Sequence, residues 1–175
     1  TTVYALNDPA DALSLSDFIL VLKEGRTVQF GPAPEVYRRP ADAETMGLLS
    51  LNGASFLPGF YSNGSVQLDG LGCDIPAELP AGVDPAYRGK AILAFRPEEV
   101  EPAGGDGEAG RISAVLERGA PYDGGRVLAT GFPAAPLSSA AAEGAPRVRF
   151  LAPADASGVV AFRPTGAMAY PLGSI

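Results

Sequence analysis

The sequence contains no histidine, no tryptophan and a single cysteine, Cys73. Without histidine there is no Ser-His-Asp or Cys-His nucleophile system, no histidine general base and no histidine metal ligand. One cysteine allows no disulfide within the chain, which fits a reducing compartment. Basic residues are scarce: 13 Lys and Arg stand against 20 Asp and Glu, a net charge of −7. Such a surface repels phosphate backbones, so nucleic acid is not an expected partner. It also disfavours direct adsorption on anionic lipid. No apolar run approaches the ~20 residues that span a bilayer. No basic stretch followed by a cleavage-like site opens the chain, so no secretory signal is expected.

What is present suits a folded chain of short elements. Its 175 residues hold one ordinary domain or two small ones, and 46% of them are hydrophobic, enough to bury a core. The 22 glycines and 17 prolines favour short strands and tight turns over long helices.

The first fifty residues alternate strand-like and helix-like patterns. Thr2 to Leu6 is a β-favouring apolar run and predicts a buried parallel strand. Asp8 and Pro9 then open a helix as N-cap and first helical residue. Ala10, Leu13 and Ser14 would face the strand, and the helix would end near Ser16. Phe18 to Leu22 predicts a strand, Lys23 to Arg26 a turn with Gly25 at positive φ, and Thr27 to Phe30 the returning strand. Two short helices are expected over Pro34 to Arg38 and Asp42 to Leu49, separated by Pro40.

Leu51 to Ala54 looks like a boundary, and short strands take over beyond it. Ser55–Tyr61 and Ser65–Leu68 flank Asn63-Gly64, a strong hairpin signal. Further strands are expected at Leu71–Ile75, Lys90–Phe95, Arg111–Arg118, Gly125–Thr130, Arg147–Leu151, Gly158–Arg163 and Ala167–Tyr170. Glu101 to Gly110 and Gly131 to Pro146 read as loops rich in glycine, alanine and proline. Strands of this spacing predict a β-barrel or sandwich. The tetrapeptide Ala94-Phe95-Arg96-Pro97 recurs as Ala161-Phe162-Arg163-Pro164. Proline cannot continue a central ladder, so each copy marks a strand end.

Two stretches resemble one family. Gly25-Arg26-Thr27-Val28-Gln29-Phe30-Gly31, followed by Glu35, Tyr37 and Pro40, resembles the G-[RK]-x-x-Q-x-G hairpin and P-x-E-x-Y-x-x-P turn of maltose-type ABC importer ATPases. Leu93 to Val100, with Arg96, Pro97 and Glu98, resembles the L-x-x-R-P-E motif of the transport-associated OB (TOBE) domain that follows in that family. The resemblance implies two parts. Residues 1–50 would be the tail of a nucleotide-binding domain, and residues 51–175 an OB-type barrel. The implied fold class is mainly β with a small α/β N-terminal part. Asp8 and Asp17 also fall on family positions, as a helix cap and a loop carboxylate. The family's switch histidine falls on Asn7, which carries no titratable proton near neutral pH. Asparagine equally suits an ordinary strand-to-helix turn.

The resemblance implies a regulatory and dimerisation role without chemistry. ATP binding needs a glycine-rich loop with Lys and Ser or Thr behind it. The only Gly-Lys pair, Gly89-Lys90, lacks that spacing, and no signature motif or paired Asp-Glu strand end appears. No cofactor is therefore expected in this stretch, although the family uses ATP and magnesium. The implied partners are a second ATPase subunit, membrane permease subunits and a regulatory protein, at the cytoplasmic face of the inner membrane. Solutes of the sugar or glycerol type are implied. Two other readings stay open: an oxyanion-binding module of the molybdate type, and an oligonucleotide-binding barrel that the acidic charge disfavours. Gly105 to Gly110 fits G-x-G-x-x-G, but it opens a strand and not a helix, so it does not read as a dinucleotide site. Glu98, Glu99 and Glu101 read as solvated turn acids. Arg96 and Glu98 read as a pair at a domain or subunit contact.

Overall fold

The computed structural model describes residues 1–103, 110–134 and 146–172. Among these the chain is mainly β, with three short helices confined to its first fifty residues.

The first part is a hairpin with helices packed beneath it. Helix α1 (Pro9–Leu15) starts as expected, with the Asp8 carboxylate accepting the Ala10 N–H at 2.8 Å. Such a cap is worth about 1 kcal/mol. Strands β1 (Phe18–Lys23) and β2 (Arg26–Pro32) pair antiparallel around a two-residue turn. Glu24 and Gly25 both take positive φ, 49° and 75°, which is why glycine sits second. Helices α2 (Ala33–Arg38) and α3 (Ala43–Leu49) follow, the latter capped by Asp42 onto the Thr45 N–H at 2.7 Å. Ile19, Val21, Ala33, Val36 and Leu49 form a small core, with Ala12 and Leu13 of α1 against it. Ala10 and Ser14, expected to face inward, are exposed, while Ala12 and the expected Leu13 are partly buried.

Thr2 to Leu6 is not a strand. It is exposed and pairs with none of the described strands. A parallel strand needs neighbours to satisfy its backbone, and β propensity alone does not supply them.

The second part is two five-stranded sheets sharing one core. The first sheet uses β3 (Ser55–Ser62), β4 (Ser65–Leu68), β5 (Asp74–Pro76), β6 (Gly89–Phe95) and β12 (Met168–Pro171), in the order β12-β6-β3-β4-β5. Glu78, just past β5, bridges Met168 of β12: the Glu78 N–H donates to Ala167 O at 2.9 Å and the Ala169 N–H to Glu78 O at 2.7 Å. That bridge brings the two edges of the sheet together into a nearly closed barrel. The expected strand at Leu71–Ile75 shrinks to Asp74–Pro76, because Gly70 and Gly72 take left-handed turns ahead of it.

The second sheet uses β7 (Val100–Pro102), β8 (Ile112–Pro121), β9 (Arg126–Ala134), β10 (Val148–Pro153) and β11 (Val159–Pro164), in the order β10-β9-β8-β11-β7. Two expected loops give up residues to these strands. Glu101 and Pro102 belong to β7, and β9 runs on from Thr130 to Ala134. Residues 104–109, with most of the glycine pattern at 105–110, and residues 135–145 lie outside the described residues.

Leu57, Val66, Ile75, Leu93 and Phe95 of the first sheet share a core with Ile112, Val148, Phe150 and Phe162 of the second. Phe162 stacks on Phe150 with centroids 4.5 Å apart and tilts against Phe95 at 5.9 Å. Aromatic pairs at these distances add roughly 0.5–1.5 kcal/mol each beyond burial.

Candidate functional site

The most unusual group in the molecule is Arg96, which is 0% exposed. A guanidinium cannot shed its charge, so burial demands partners for its donors. The last residues of β6 carry Arg96 into a short 3-10 turn, Pro97–Glu99. There Nη1 donates to Glu99 Oε1 at 2.7 Å, Nε to Ser50 Oγ at 3.2 Å and Nη2 to the Tyr37 carbonyl at 2.6 Å. The guanidinium also lies 4.0 Å from the centre of the Tyr37 ring, within cation–π range. Glu99 Oε2 accepts the Arg96 N–H at 2.9 Å, so one carboxylate holds both ends of the residue.

The expected Arg96–Glu98 pair is therefore corrected to Arg96–Glu99. The 3-10 turn places residue i+3, not i+2, over the arginine. Glu98 faces outward and accepts the Tyr37 hydroxyl at 2.5 Å. Burial first, then this carboxylate, raises the Tyr37 phenol above its usual range. The three acids read as solvated each hold a partner: Glu98 has Tyr37, Glu99 has Arg96, and Glu101 has Arg163 at 3.3 Å. Pro97 is buried beside them.

The other motif residues serve the turn that delivers Tyr37 to Arg96. Gln29 clasps the link between α2 and α3: its Nε2 donates to Arg39 O at 2.9 Å and its Oε1 accepts the Ala41 N–H at 2.8 Å. These groups flank Pro40, which has no N–H of its own, so the side-chain amide supplies a bridge the backbone cannot. Pro40 is buried, and its carbonyl accepts the Tyr170 hydroxyl at 3.3 Å. Burial raises the Tyr170 phenol as well. Gly31 lies against α2, where a Cβ would make only ordinary van der Waals contact with Val36 Cγ2 at 3.4 Å. The carbonyl of Glu35 accepts the Arg39 N–H at 2.9 Å, and that of Asp17 accepts the Ala33 N–H at 3.0 Å. Lys23 and Glu44 form an ion pair between the hairpin and α3.

Asn7 stands apart, exposed in a bend ahead of α1. The three helices start at Asp8-Pro9, Pro32-Ala33 and Asp42-Ala43, and no glycine-rich loop leads into any of them. Among the described residues no cluster of three or more His, Cys, Asp or Glu is placed to hold a metal ion. Cys73 is partly buried, and burial pushes its thiol up to about 11, which leaves it an unreactive thiol at neutral pH. A polar cleft of about 490 Å³ lies next to the Arg96 corner, lined by Arg38, Arg39, Glu78, Glu99, Thr165 and Gly166 among others.

Several members of the site gave no usable signal in the sequence. Ser50, Asn52 and Tyr122 are common polar types, and long-range folding alone brings them to the motif. Asn52 Nδ2 donates to Tyr122 Oη at 3.2 Å and reaches Glu98 Oε2 at 3.5 Å. The one available hint was Arg96 itself, a charge at the end of the apolar run Ala91 to Phe95.

An outward apolar face completes the inventory. Alternation along β1 buries Ile19 and Val21 and turns Phe18, Leu20 and Leu22 outward. Phe30 joins them, stacked on Phe18 at 5.7 Å and 66% exposed. Among the described residues no helix is long and apolar enough to cross a membrane.

No family model matches the chain. Its curated relatives are consistent in kind. It is 34% identical over 117 residues to the Fe(3+) ions import ATP-binding protein of Pseudomonas fluorescens, a match covering 66% of this chain and 30% of the relative. Over 120 residues it is 34% identical to the sn-glycerol-3-phosphate import ATP-binding protein of Ruegeria pomeroyi, covering 69% and 32%. The sulfate/thiosulfate import ATP-binding protein of Mesorhizobium japonicum is 34% identical over 116 residues, covering 66% and 31%. The chain thus spans about a third of the length of the curated relatives it matches. Over that shared length, and with both motifs meeting at Arg96, the chain belongs with the ATP-binding subunits of ABC-type importers.

Proposed function

We propose that this chain is the C-terminal regulatory and dimerisation part of an importer ATP-binding subunit, with no catalysis of its own. Residues 1–50 are then the tail of the nucleotide-binding domain and residues 51–175 an OB-type TOBE domain. The observation that carries this reading is the Arg96 corner. The turn motif at Tyr37 and the R-P-E motif at Arg96, 59 residues apart, meet in one hydrogen bond from Arg96 to the Tyr37 carbonyl. The nearly closed five-stranded sheet supports the OB assignment.

Asn7 at the switch position fits a degenerate site, in a subunit that pairs with a second ATPase subunit, either another copy of this chain or a catalytically intact paralogue. ATP and magnesium belong to the full-length family. The residues described here offer the phosphates no glycine-rich cradle, so no step is assigned to them. The partners are the second subunit, permease subunits that hold the assembly at the cytoplasmic face of the membrane, and a regulatory protein. The exposed face of Phe18, Leu20, Leu22 and Phe30 supports a protein contact of this kind, since soluble proteins seldom leave such patches open. The transported solute is of the sugar or glycerol class. The similar proteins named above import iron, sn-glycerol-3-phosphate and sulfate or thiosulfate, each at 34% identity.

Light scattering on the purified chain, with phosphate release measured in Mg-ATP, tests the reading. A dimer that releases no phosphate is the expected result; nucleotide turnover by this chain would end it. A second reading is an oxyanion-binding module: Arg38 and Arg39 line the cleft, although Glu78 and Glu99 on the same wall offset their charge. Calorimetric titration with molybdate and sulfate separates the two, because the regulatory reading predicts no heat of binding.

A further inference from the structure

The segment joining the helices to the β sheets has the composition of a boundary, Ser50-Leu51-Asn52-Gly53-Ala54-Ser55. Boundaries of this kind are ordinarily exposed and crossed by few contacts, and relative motion is the default across them. Here nearly every residue is pinned. Ser50 Oγ donates to Met46 O at 2.6 Å and accepts from Arg96 Nε at 3.2 Å. The carbonyl of Asn52 accepts from Arg149 Nη1 at 3.0 Å, while its side chain reaches Tyr122. Gly53 takes φ +74° and donates its N–H to Ser50 O at 3.1 Å. The Arg149 guanidinium occupies the space where a Gly53 Cβ would lie. Ser55 Oγ accepts the Arg149 N–H at 2.8 Å and donates to Arg149 O at 3.2 Å, so the side chain is stapled to β10 as a strand neighbour would be.

Packing on either side of the segment points the same way. Met46 of α3 is fully buried against Ala94, Met168 and Tyr170 of the barrel. Arg96 sits between, held at once by the segment (Ser50), by α2 (Tyr37) and by its own turn (Glu99). A buried guanidinium has no solvated alternative nearby, so any rotation of α2–α3 against the sheets strips it of donors' partners.

We infer that Arg96 is the bolt of a rigid joint, which makes α2–α3 and the two β sheets turn as one body. A displacement imposed on the hairpin and its helices is therefore carried into the sheets, not absorbed in the segment at 50–55. The inference rests on the joint's own geometry and stands whether or not the functional reading above is right.

Distance measurement between spin labels tests it. With Cys73 replaced by alanine, labels go on Glu35→Cys in α2 and Asp69→Cys beyond β4, both exposed sites. The unaltered joint gives one narrow distance distribution. Arg96→Met broadens it, and cleavage within residues 50–55 by a nonspecific protease rises about tenfold or more. Because Arg96→Met leaves Glu99 without its partner, the double variant Arg96→Met with Glu99→Gln is measured beside it, with sheet integrity checked by the amide chemical shifts of β6 and β12. A narrow distribution in the folded double variant overturns the inference, as does a broad one in the unaltered joint.

Discussion

Two identical tetrapeptides meet opposite fates in this fold. Ala94-Phe95-Arg96-Pro97 ends β6, and Ala161-Phe162-Arg163-Pro164 ends β11. The phenylalanines behave alike: both are essentially fully buried, and their rings touch at 5.9 Å. The arginines do not. The Arg96 side chain is 0% exposed and bonds to Ser50, Tyr37 and Glu99, whereas that of Arg163 is 38% exposed and pairs with Glu101. Four shared residues set the strand end and the inward phenylalanine. What covers the next side chain is set by elements far off in sequence. Helix α2 and the segment at residue 50 lie over the first corner, and the β7 edge lies beside the second.

The comparison can be broken or sharpened by substitution. Phe95→Ala and Phe162→Ala each lose about 3–5 kcal/mol in chemical denaturation, because each empties the same shared core. Clearly unequal losses would show that the two rings are not equivalent. Arg96→Met costs about 3 kcal/mol by the same measurement, at the low end for a broken buried pair because Glu99 keeps some exposure to water. Tyr37→Phe costs about 1 kcal/mol at neutral pH, through loss of the hydrogen bond to Glu98. Arg163→Met changes stability by less than about 1 kcal/mol, since its ion pair is solvated. Equal losses for Arg96→Met and Arg163→Met would erase the distinction between the corners.

A pH dependence follows from the first corner. The Tyr37 and Tyr170 phenols are raised by burial, so the folded state holds these protons more tightly than the unfolded chain. Their contribution is complete below the unfolded value, about pH 10, and is lost as pH rises from there toward the folded values. In a Cys73→Ala background, which removes the thiol whose own raised value would pull stability down from about pH 9, denaturation midpoints measured from pH 8 upward should hold level and then fall beyond about pH 10, and Tyr37→Phe should make the fall shallower.

Local signals made much of the architecture legible. The Asp8-Pro9 cap, the Gly25 turn, the Asn63-Gly64 hairpin and the helix over Ala43–Leu49 follow from neighbouring residues, and each appears within a residue or two of its expected place. Thr2 to Leu6 failed because a parallel strand is a property of its neighbours. Arg96 and Glu98 were visible as a motif, but which acid meets the arginine depended on the 3-10 turn that carries them. Gln29 was visible too, while its use as a clasp across Pro40 was not.

The sequence by itself determined a mainly β chain of short strands with a helical start, and it excluded histidine chemistry and disulfide pairing within the chain. These follow from composition, alternation and turn residues, which act over a few positions. Only the tertiary structure decided that Glu78 would bring the barrel's edges together, that Ser50 to Ser55 would be stapled down, and that one of two like arginines would be sealed inside. Those outcomes depend on which distant surfaces come together. A buried charge is tolerated only where the whole fold delivers its partners.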